Sequence, residues 1–309
     1  MQDVELLPER PDPDPSRPGH GHAKVRGMDL ALPRKMLRTL EPYHGMIYFV
    51  PEANDAYERI GLRGRRMGYF ASRSAAMGAV SAEVVIATFF NFSPDVVRRA
   101  IPAAWQQAAP TEVVDARLGA ADAALRRMLG DAITSDAMRE AADLSRAATA
   151  GCFREGHPLY ASHAAQPWPD DPHLVLWHAQ TLLREFRGDG HVAALVAQGL
   201  TGCEALVVHE TTGDIAAGLL QASRAWPDAD WAAAVDRVRN RGWLADDGSL
   251  TMDGRAARAW VEDRTDELAL VCWQQLGEAQ CSRLRELVRP FSRTIADQSL
   301  AFARPWDEN

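Results

Sequence analysis

The chain has little of what marks disulfide-rich, metal-binding or cofactor-dependent proteins. It contains four widely separated cysteines without a CxxC pair, namely Cys152, Cys203, Cys272 and Cys281. Thiols spaced in this way within apolar, helix-like segments are expected to be reduced structural residues. The histidines form no HExxH motif and no serine lies in a GxSxG elbow, so we predict neither a metal nor another cofactor.

Long apolar runs are also missing. No segment is long enough to span a bilayer, and the first residues contain no apolar signal region. We therefore expect a cytoplasmic protein without a membrane partner.

An excess of basic charge is absent as well. The 34 basic residues are outnumbered by 42 acidic residues, which gives a formal net charge of −8. This balance excludes the broad positive field of an architectural nucleic-acid binder, so any DNA contact requires a local basic face. With 309 residues, 47% of them hydrophobic, the chain can bury a large core in two domains or in one large helical domain.

Strand signals are rare, and helical periodicity runs through most of the sequence. Residues 1–27 are rich in proline and poor in large apolar side chains, which predicts a disordered tail. An N-terminal helical domain is predicted over 28–163. The proline-rich loop Ala164–Pro172 blocks helix continuation, and a C-terminal winged-helix-like domain is predicted over 164–309.

The clearest local pattern lies between residues 230 and 268. Apolar residues spaced i, i+3, i+4 and i+7 predict one buried face on a helix over Asp230–Arg241. Asp247-Gly248 between two apolar pairs predicts a hairpin, and Thr251 can cap the helix that follows. Helix, hairpin and capped helix together predict a winged helix-turn-helix, so the predicted fold class is all-α with a short β wing.

Three arginines of this region are the predicted DNA contacts: Arg237, Arg239 and Arg241. The wing itself is the acidic turn Asp246-Asp247-Gly248. Wings that enter the minor groove usually carry arginine, so this turn weakens the DNA interpretation.

The two halves of the chain resemble each other faintly. Arg73–Val85 precedes an apolar helix much as Arg187–Ala194 precedes Leu195–Val208. A decayed duplication would make the chain a pseudo-dimer, and chance similarity between alanine-rich helices is the alternative. Both a monomer and a homodimer remain open.

The segment Leu183–Leu195 concentrates charge between apolar stretches. Arg184 and Arg187 lie three residues apart on one helical face, where they can present guanidinium donors to an anionic or carbonyl-bearing ligand, with His191 at the rim. The alternative is structural: Asp189 caps a helix beginning near His191 and pairs with Arg187.

Other candidate residues surround an aromatic pocket, which suits a small hydrophobic or aromatic ligand. Core packing explains the same residues, and the alternatives stay open. The complete predicted ligand site is Tyr43, His44, Tyr48, Glu52, Tyr69, Arg73, Trp177, Arg184, Arg187, Asp189 and His191. If the protein is instead an enzyme on this scaffold, His44, Glu52 or His191 would carry its acid-base chemistry.

Residues Leu250–Arg255 and Val261–Asp266 resemble the helix start after the wing in MarR-type regulators. Residues 41–290 resemble an actinobacterial helix-turn-helix-like family named after a Streptomyces coelicolor hypothetical protein. Four segments carry this likeness: Glu41–His44, Tyr48–Glu52, Gly68–Arg73 and Leu182–Leu195. That family has a histidine where this chain has Phe186. The resemblance implies a small-molecule-binding protein, either a transcriptional regulator that contacts DNA or a ligand-sequestering derivative.

Overall fold

A computed structural model describes residues 24–25, 28–213 and 215–299. This part of the chain is mainly helical, which confirms the all-α prediction. Strand β1 (Lys24–Val25) pairs antiparallel with strand β2 (Met28–Asp29). Apart from residues 24–25, the predicted tail lies outside the described residues.

Nine helices precede the long central helix in the described chain: α1 (Leu32–Gly45), α2 (Pro51–Arg59), α3 (Arg65–Ser74), α4 (Ala82–Phe89), α5 (Pro94–Ala100), α6 (Ala103–Gln107), α7 (Pro110–Leu129), α8 (Asp136–Thr149) and α9 (Pro158–Ala164). The long central helix is α10 (Pro172–Ala197). Five helices follow it within the described residues: α11 (Gly202–Glu210), α12 (Leu219–Ser223), α13 (Asp228–Asn240), α14 (Met252–Leu276) and α15 (Glu278–Ser299). Short 3₁₀ turns cover Met46–Tyr48, Ala75–Met77 and Gly130–Thr134.

Local chemistry explains where many of these helices begin. Proline occupies the first turn of α2, α5, α7, α9 and α10, where a missing N–H costs nothing. Ser81, Ser135 and Thr201 cap α4, α8 and α11 through their side-chain oxygens. Thr251 accepts a 3.1 Å hydrogen bond from Gly254 N at the start of α14, as the sequence predicts.

The main hydrophobic core surrounds α10, which packs against α1, α8, α9 and α14. Buried residues between 28 and 186 share this core with residues 270–295 of α14 and α15. The division between cores therefore differs from the predicted boundary at 163/164, because the last two helices return to pack on α1 and α8.

A second core lies between residues 194 and 261. It joins the end of α10 to α11, α13 and the start of α14. Ala234 and Val238 are fully buried on α13, while Trp231 and Val235 are half-buried on the same predicted face. Leu244 pairs with Leu250 around the turn that contains Gly248, which is the hairpin predicted from Asp-Gly.

The loop after α4 supports this second core. Trp226 Nε1 donates a 2.8 Å hydrogen bond to Asn91 O, and Ser93 N donates to Arg224 O at 3.0 Å. Gly202 approaches the Phe90 carbonyl so closely that a β-carbon would lie 2.0 Å from its oxygen. Only glycine fits this contact between α11 and the first half of the chain.

Within the described ranges, no single helix is both long and apolar enough to cross a membrane. Two neighbouring pairs, 65–77 with 82–89 and 172–197 with 202–210, reach that length and composition only together, and they are bent by 93° and 96°.

Candidate functional site

The charged segment around residue 187 lies inside α10, and its two glycines do not interrupt the helix. The predicted helix start near His191 is therefore wrong. Gly190 faces α14, where a β-carbon would lie 3.4 Å from Leu268 Cβ. Close packing between α10 and α14 thus explains this glycine.

Asp189 has a capping role, but for a different helix. Its Oδ2 accepts hydrogen bonds from Leu159 N at 3.0 Å and Tyr160 N at 2.9 Å, at the first turn of α9. Arg187 instead pairs with Asp266 on α14 at 3.0 Å. The predicted Arg187–Asp189 ion pair is therefore replaced by two long-range contacts.

A buried ionic network connects α1, α3 and α10. Arg73 Nη2 donates to both carboxylate oxygens of Glu185 at 3.0 Å, and both side chains are 1% exposed. Arg184 donates to Glu185 at 3.0 Å and to Glu41 at 2.9 Å. Burial alone would raise the pKa of Glu185, but the two guanidinium groups outweigh it and hold this pKa at about 2.

Aromatic and neutral polar groups surround the network. His44 Nδ1 lies 3.0 Å from Thr181 Oγ1 and His44 Nε2 lies 3.1 Å from the Tyr48 hydroxyl. The Trp177 ring stacks on His44 with 5.8 Å between ring centroids. Burial, reinforced by nearby arginines, puts the pKa of His44 well below its usual value, so this imidazole is uncharged at neutral pH.

Arg117 of α7 completes what we call the buried arginine cluster. Its guanidinium reaches the Tyr48 hydroxyl at 3.4 Å and Ser72 Oγ at 3.5 Å, and its Nε is buried without a hydrogen-bond partner among the described residues. The cluster consists of Glu41, His44, Tyr48, Tyr69, Arg73, Arg117, Trp177, Arg184 and Glu185. Among the described residues, Arg73 and Arg184 pair with the carboxylates of Glu185 and Glu41, whereas Arg117 pairs with no carboxylate.

A cavity adjoins this cluster between α1, α10 and α14. Its polar wall includes Glu41, His44 and Arg184, and its apolar wall includes Leu183 and Trp273. The free volume is about 20 Å³, which is enough for one or two water molecules. A larger occupant requires side chains or helices to move apart.

The outer face of α13 is a candidate DNA-contact surface. Arg237 Nε donates to the buried carboxylate of Glu204 at 2.6 Å, and Arg239 pairs with Asp236 at 3.0 Å. Arg241 donates to Gly199 O at 2.6 Å. The exposed first turn of α13 adds Asp228 and Asp230, so acidic groups accompany all three predicted DNA contacts.

Comparison with protein families decides what this arrangement of helices is. A family model described as a helix-turn-helix family matches residues 33–302, which is most of the chain. The chain belongs to this helix-turn-helix family. No match to a curated protein or to a solved structure was found.

The structure places six predicted ligand residues of this helix-turn-helix protein together in the buried arginine cluster: His44, Tyr48, Tyr69, Arg73, Trp177 and Arg184. Arg187 shares the cavity wall with Arg184.

The other four predicted residues have separate partners. Tyr43 donates to His173 O at 3.1 Å, Glu52 pairs with Arg127, and Asp189 caps α9. His191 Nδ1 lies 2.9 Å from Thr265 Oγ1, beside a second cavity of about 30 Å³ within the second core. The three candidate catalytic residues thus occupy three different environments.

Sequence reasoning missed Glu41, Arg117 and Glu185. Arg117 lies four residues after the buried Val113 and four before the buried Ala121, so helical spacing already places it on the buried face of α7. A charged residue at such a position is the signal that could have identified it.

Phe186, where the resemblance implies a histidine, is a packing residue in this helix-turn-helix protein. It is 1% exposed and stacks on His157, with 4.1 Å between centroids and 11° between ring planes. Phe153 and Tyr160 contact it edge-on.

One group of possible metal ligands lies elsewhere. Donor atoms of Asp122, Asp171 and His173 lie within 4.8 Å of one another. Arg126 donates to Asp122 at 2.8 Å and to Asp171 at 3.0 Å. The guanidinium thus already supplies a positive charge to these carboxylates, and hydrogen bonding accounts for their proximity.

Proposed function

We propose that this helix-turn-helix protein binds a small aromatic anion, such as an aromatic carboxylate, in the cavity between α1, α10 and α14. The observation that carries the proposal is the Arg117 guanidinium, which is buried and pairs with no carboxylate among the described residues. An uncompensated charge inside a protein is costly, and a bound anion removes that cost.

Neutral side chains hold the Arg117 guanidinium. No carboxylate among the described residues lies within 4.0 Å of its guanidinium, which packs against the rings of Tyr48 and Trp177 at 5.5 Å and 5.2 Å. Aromatic faces stabilise a cation only in part. Arg117 does not line the cavity, but Tyr48 and His44 connect it to the cavity wall. A ligand carboxylate in the cavity would therefore offset the charge of Arg117 through space.

The cavity walls support an aromatic ligand. Leu183 and Trp273 provide apolar contact, while Arg184, Arg187 and Gln180 provide donors. Glu41 also faces the cavity, and burial raises its pKa despite Arg184. Protonation of Glu41 would remove its repulsion of an incoming anion and free Arg184 to bind it.

We expect Arg117→Met to weaken the binding of benzoate at least tenfold, because it removes the unpaired charge while keeping most of the side-chain volume. Benzoate is titrated by calorimetry and tryptophan fluorescence, with benzamide as the neutral probe of the same shape. Benzamide should bind more weakly than benzoate to the unaltered protein.

The matched control is Arg98→Met, which removes an arginine from the exposed pair with Glu83 and should leave benzoate binding unchanged. Equal benzoate affinity in Arg117→Met and unaltered protein, with both folded by circular dichroism, would refute the charge argument. Failure of benzoate and related aromatic acids to saturate the protein would refute the proposed ligand class.

We also infer that α11, α12, α13 and the Leu244–Leu250 hairpin form a winged helix-turn-helix of the MarR type. Helices α10 and α14 line the ligand cavity and continue into the second core. A ligand that separates α10 from α14 would therefore also move the parts of these helices that pack in the second core. This connection supports either a cytoplasmic regulator or a ligand-sequestering protein.

The order of helices in the first half of the chain supports the proposed duplication. Three short helices, α4 to α6, lie between α3 and the long helix α7, as α11 to α13 lie between α10 and α14. Ala108 and Ala109 link α6 directly to α7, so the first half has no room for a wing. A pseudo-dimer with one degenerate unit fits this pattern.

The acidic residues around α13 favour a protein that binds its ligand without binding DNA. We expect no saturable binding of a 30-base-pair duplex at low salt, because acidic residues accompany the arginines of α13. Fluorescence anisotropy measures this directly. Salt-sensitive binding that is lost in the double variant Arg237→Ala/Arg239→Ala would instead establish the regulator interpretation.

A further inference from the structure

Two cysteines that lie 120 residues apart in sequence meet at the end of α8. Cys152 Sγ and Cys272 Sγ are 2.9 Å apart, less than 1 Å beyond the length of a disulfide bond, about 2.05 Å. The sequence predicts four isolated thiols. None of the four cysteines forms a disulfide, but the thiols of Cys152 and Cys272 are in contact.

The backbones of the two chain segments are in close contact beside this pair. Gly151 precedes Cys152 and lies directly against α14: a β-carbon on Gly151 would be 2.8 Å from Cys272 Cα and 2.6 Å from Val271 O. The two chain segments therefore approach as closely as packing allows. The sulfur atoms need to approach by less than 1 Å to reach the length of a disulfide bond.

The two thiols differ in access to solvent. Cys152 is half-buried and lies next to the exposed ring of Phe153, whereas Cys272 is 1% exposed. Burial raises the pKa of Cys272 well above its usual value, so this sulfur is protonated at neutral pH. Cys152 is therefore the thiol that a dissolved oxidant reaches first.

We propose that Cys152 and Cys272 are a redox modification site that forms a reversible intramolecular disulfide on exposure to hydrogen peroxide. The bond would tie the segment after α8 to α14. Nothing in the proposed ligand binding depends on this modification, although Cys272 also lines the cavity.

The chemistry balances in two steps. The Cys152 thiolate attacks one peroxide oxygen, forms a sulfenic acid and releases hydroxide, which takes up a proton to become water. The Cys272 sulfur then attacks the Cys152 sulfur, and the thiol proton leaves with the hydroxyl group as a second water. The two sulfur atoms lose two electrons in total, and one peroxide molecule gains them.

The remaining cysteines provide internal controls. Cys203 and Cys281 are buried, and burial raises the pKa of each to about 12. The Cys203 thiol donates to the carbonyl oxygen of Asp230 at 3.9 Å, and the Cys281 thiol donates to that of Trp273 at 3.7 Å. Both should stay as thiols when the folded protein meets peroxide.

The test treats the folded, reduced, full-length protein with equimolar hydrogen peroxide, followed by alkylation, non-reducing digestion and mass spectrometry. The expected result is one linked peptide pair, Cys152 to Cys272, with two hydrogen atoms lost and with alkylated Cys203 and Cys281. Dithiothreitol should restore both thiols. The cross-link should also raise Tm by roughly 5–10 °C, because it closes a long loop.

Cys152→Ala, at a half-buried position, should abolish the linked peptide and the Tm shift, whereas Cys203→Ala should retain both. Four alkylated thiols after treatment, a sulfinic acid at Cys152 without a bridge, or a bridge through Cys203 or Cys281 would each overturn the proposal.

Discussion

Glu185→Gln is expected to lower the free energy of unfolding by about 3–5 kcal/mol, the range for removing one partner of a buried ion pair. Glu185 is the carboxylate that Arg73 and Arg184 share at 3.0 Å. Glutamine keeps the size of the side chain but loses its charge. Arg73 and Arg184 would then lose the buried carboxylate that they share. Urea unfolding at pH 7 measures the change.

Glu83→Gln is the control for this experiment. It removes a carboxylate from the Glu83–Arg98 pair, in which both side chains are more than half exposed. Solvent screens such pairs, so stability should not change measurably. A loss below about 1 kcal/mol in Glu185→Gln would mean that the interior network is far better solvated than its burial implies.

The Glu185 carboxylate also accounts for part of the stability that the protein should lose at low pH. The pKa of Glu185 is about 2 in the folded protein, below its ordinary value of 4.5. The unfolded chain therefore takes up the proton first as pH falls, and the stabilisation from Glu185 is complete above pH 4.5 and lost toward pH 2. Glu185→Gln should flatten the stability profile in that window.

Gly202→Ala is expected to cost about 3 kcal/mol, at the upper end of typical overpacking effects. The added β-carbon would lie 2.0 Å from Phe90 O and 3.0 Å from Asn91 Cα. These are backbone atoms, so relief requires α11 to move away from the loop after α4. Thermal unfolding and hydrogen exchange in residues 202–250 would report the loss.

Gly119→Ala is the matched control, and it is expected to stabilise the protein instead of destabilising it. Gly119 lies within α7, and a β-carbon there meets no atom within 4 Å. Alanine should stabilise the helix by about 0.5–1 kcal/mol, because glycine loses more backbone entropy on folding. Similar stability changes in Gly202→Ala and Gly119→Ala would show that the contact with Phe90 is not rigid.

Features set by neighbouring residues were predictable. Thr251 caps α14, the Asp-Gly turn forms the hairpin, and Ala234 and Val238 lie on the buried face of α13. Each depends on side-chain oxygens, turn geometry or helical spacing within about ten residues. Such interactions are fixed by the local sequence whatever surrounds them.

Partner choice was not predictable in the same way. The sequence suggests Arg187 with Asp189, yet both lie in one continuous helix and bind partners on α14 and α9. Residues two apart on a helix point in different directions. Their partners depend on which helices pack against each face, and no local pattern records that.

Helical periodicity in the sequence determined most of the elements of this protein. Tertiary structure alone decided that Arg73, Arg117 and Arg184 share one interior, that α14 and α15 complete the first core, and that Cys152 meets Cys272. The physical reason is range: caps, turns and periodicity act over a few residues, whereas burial and charge pairing act between any residues that packing brings together.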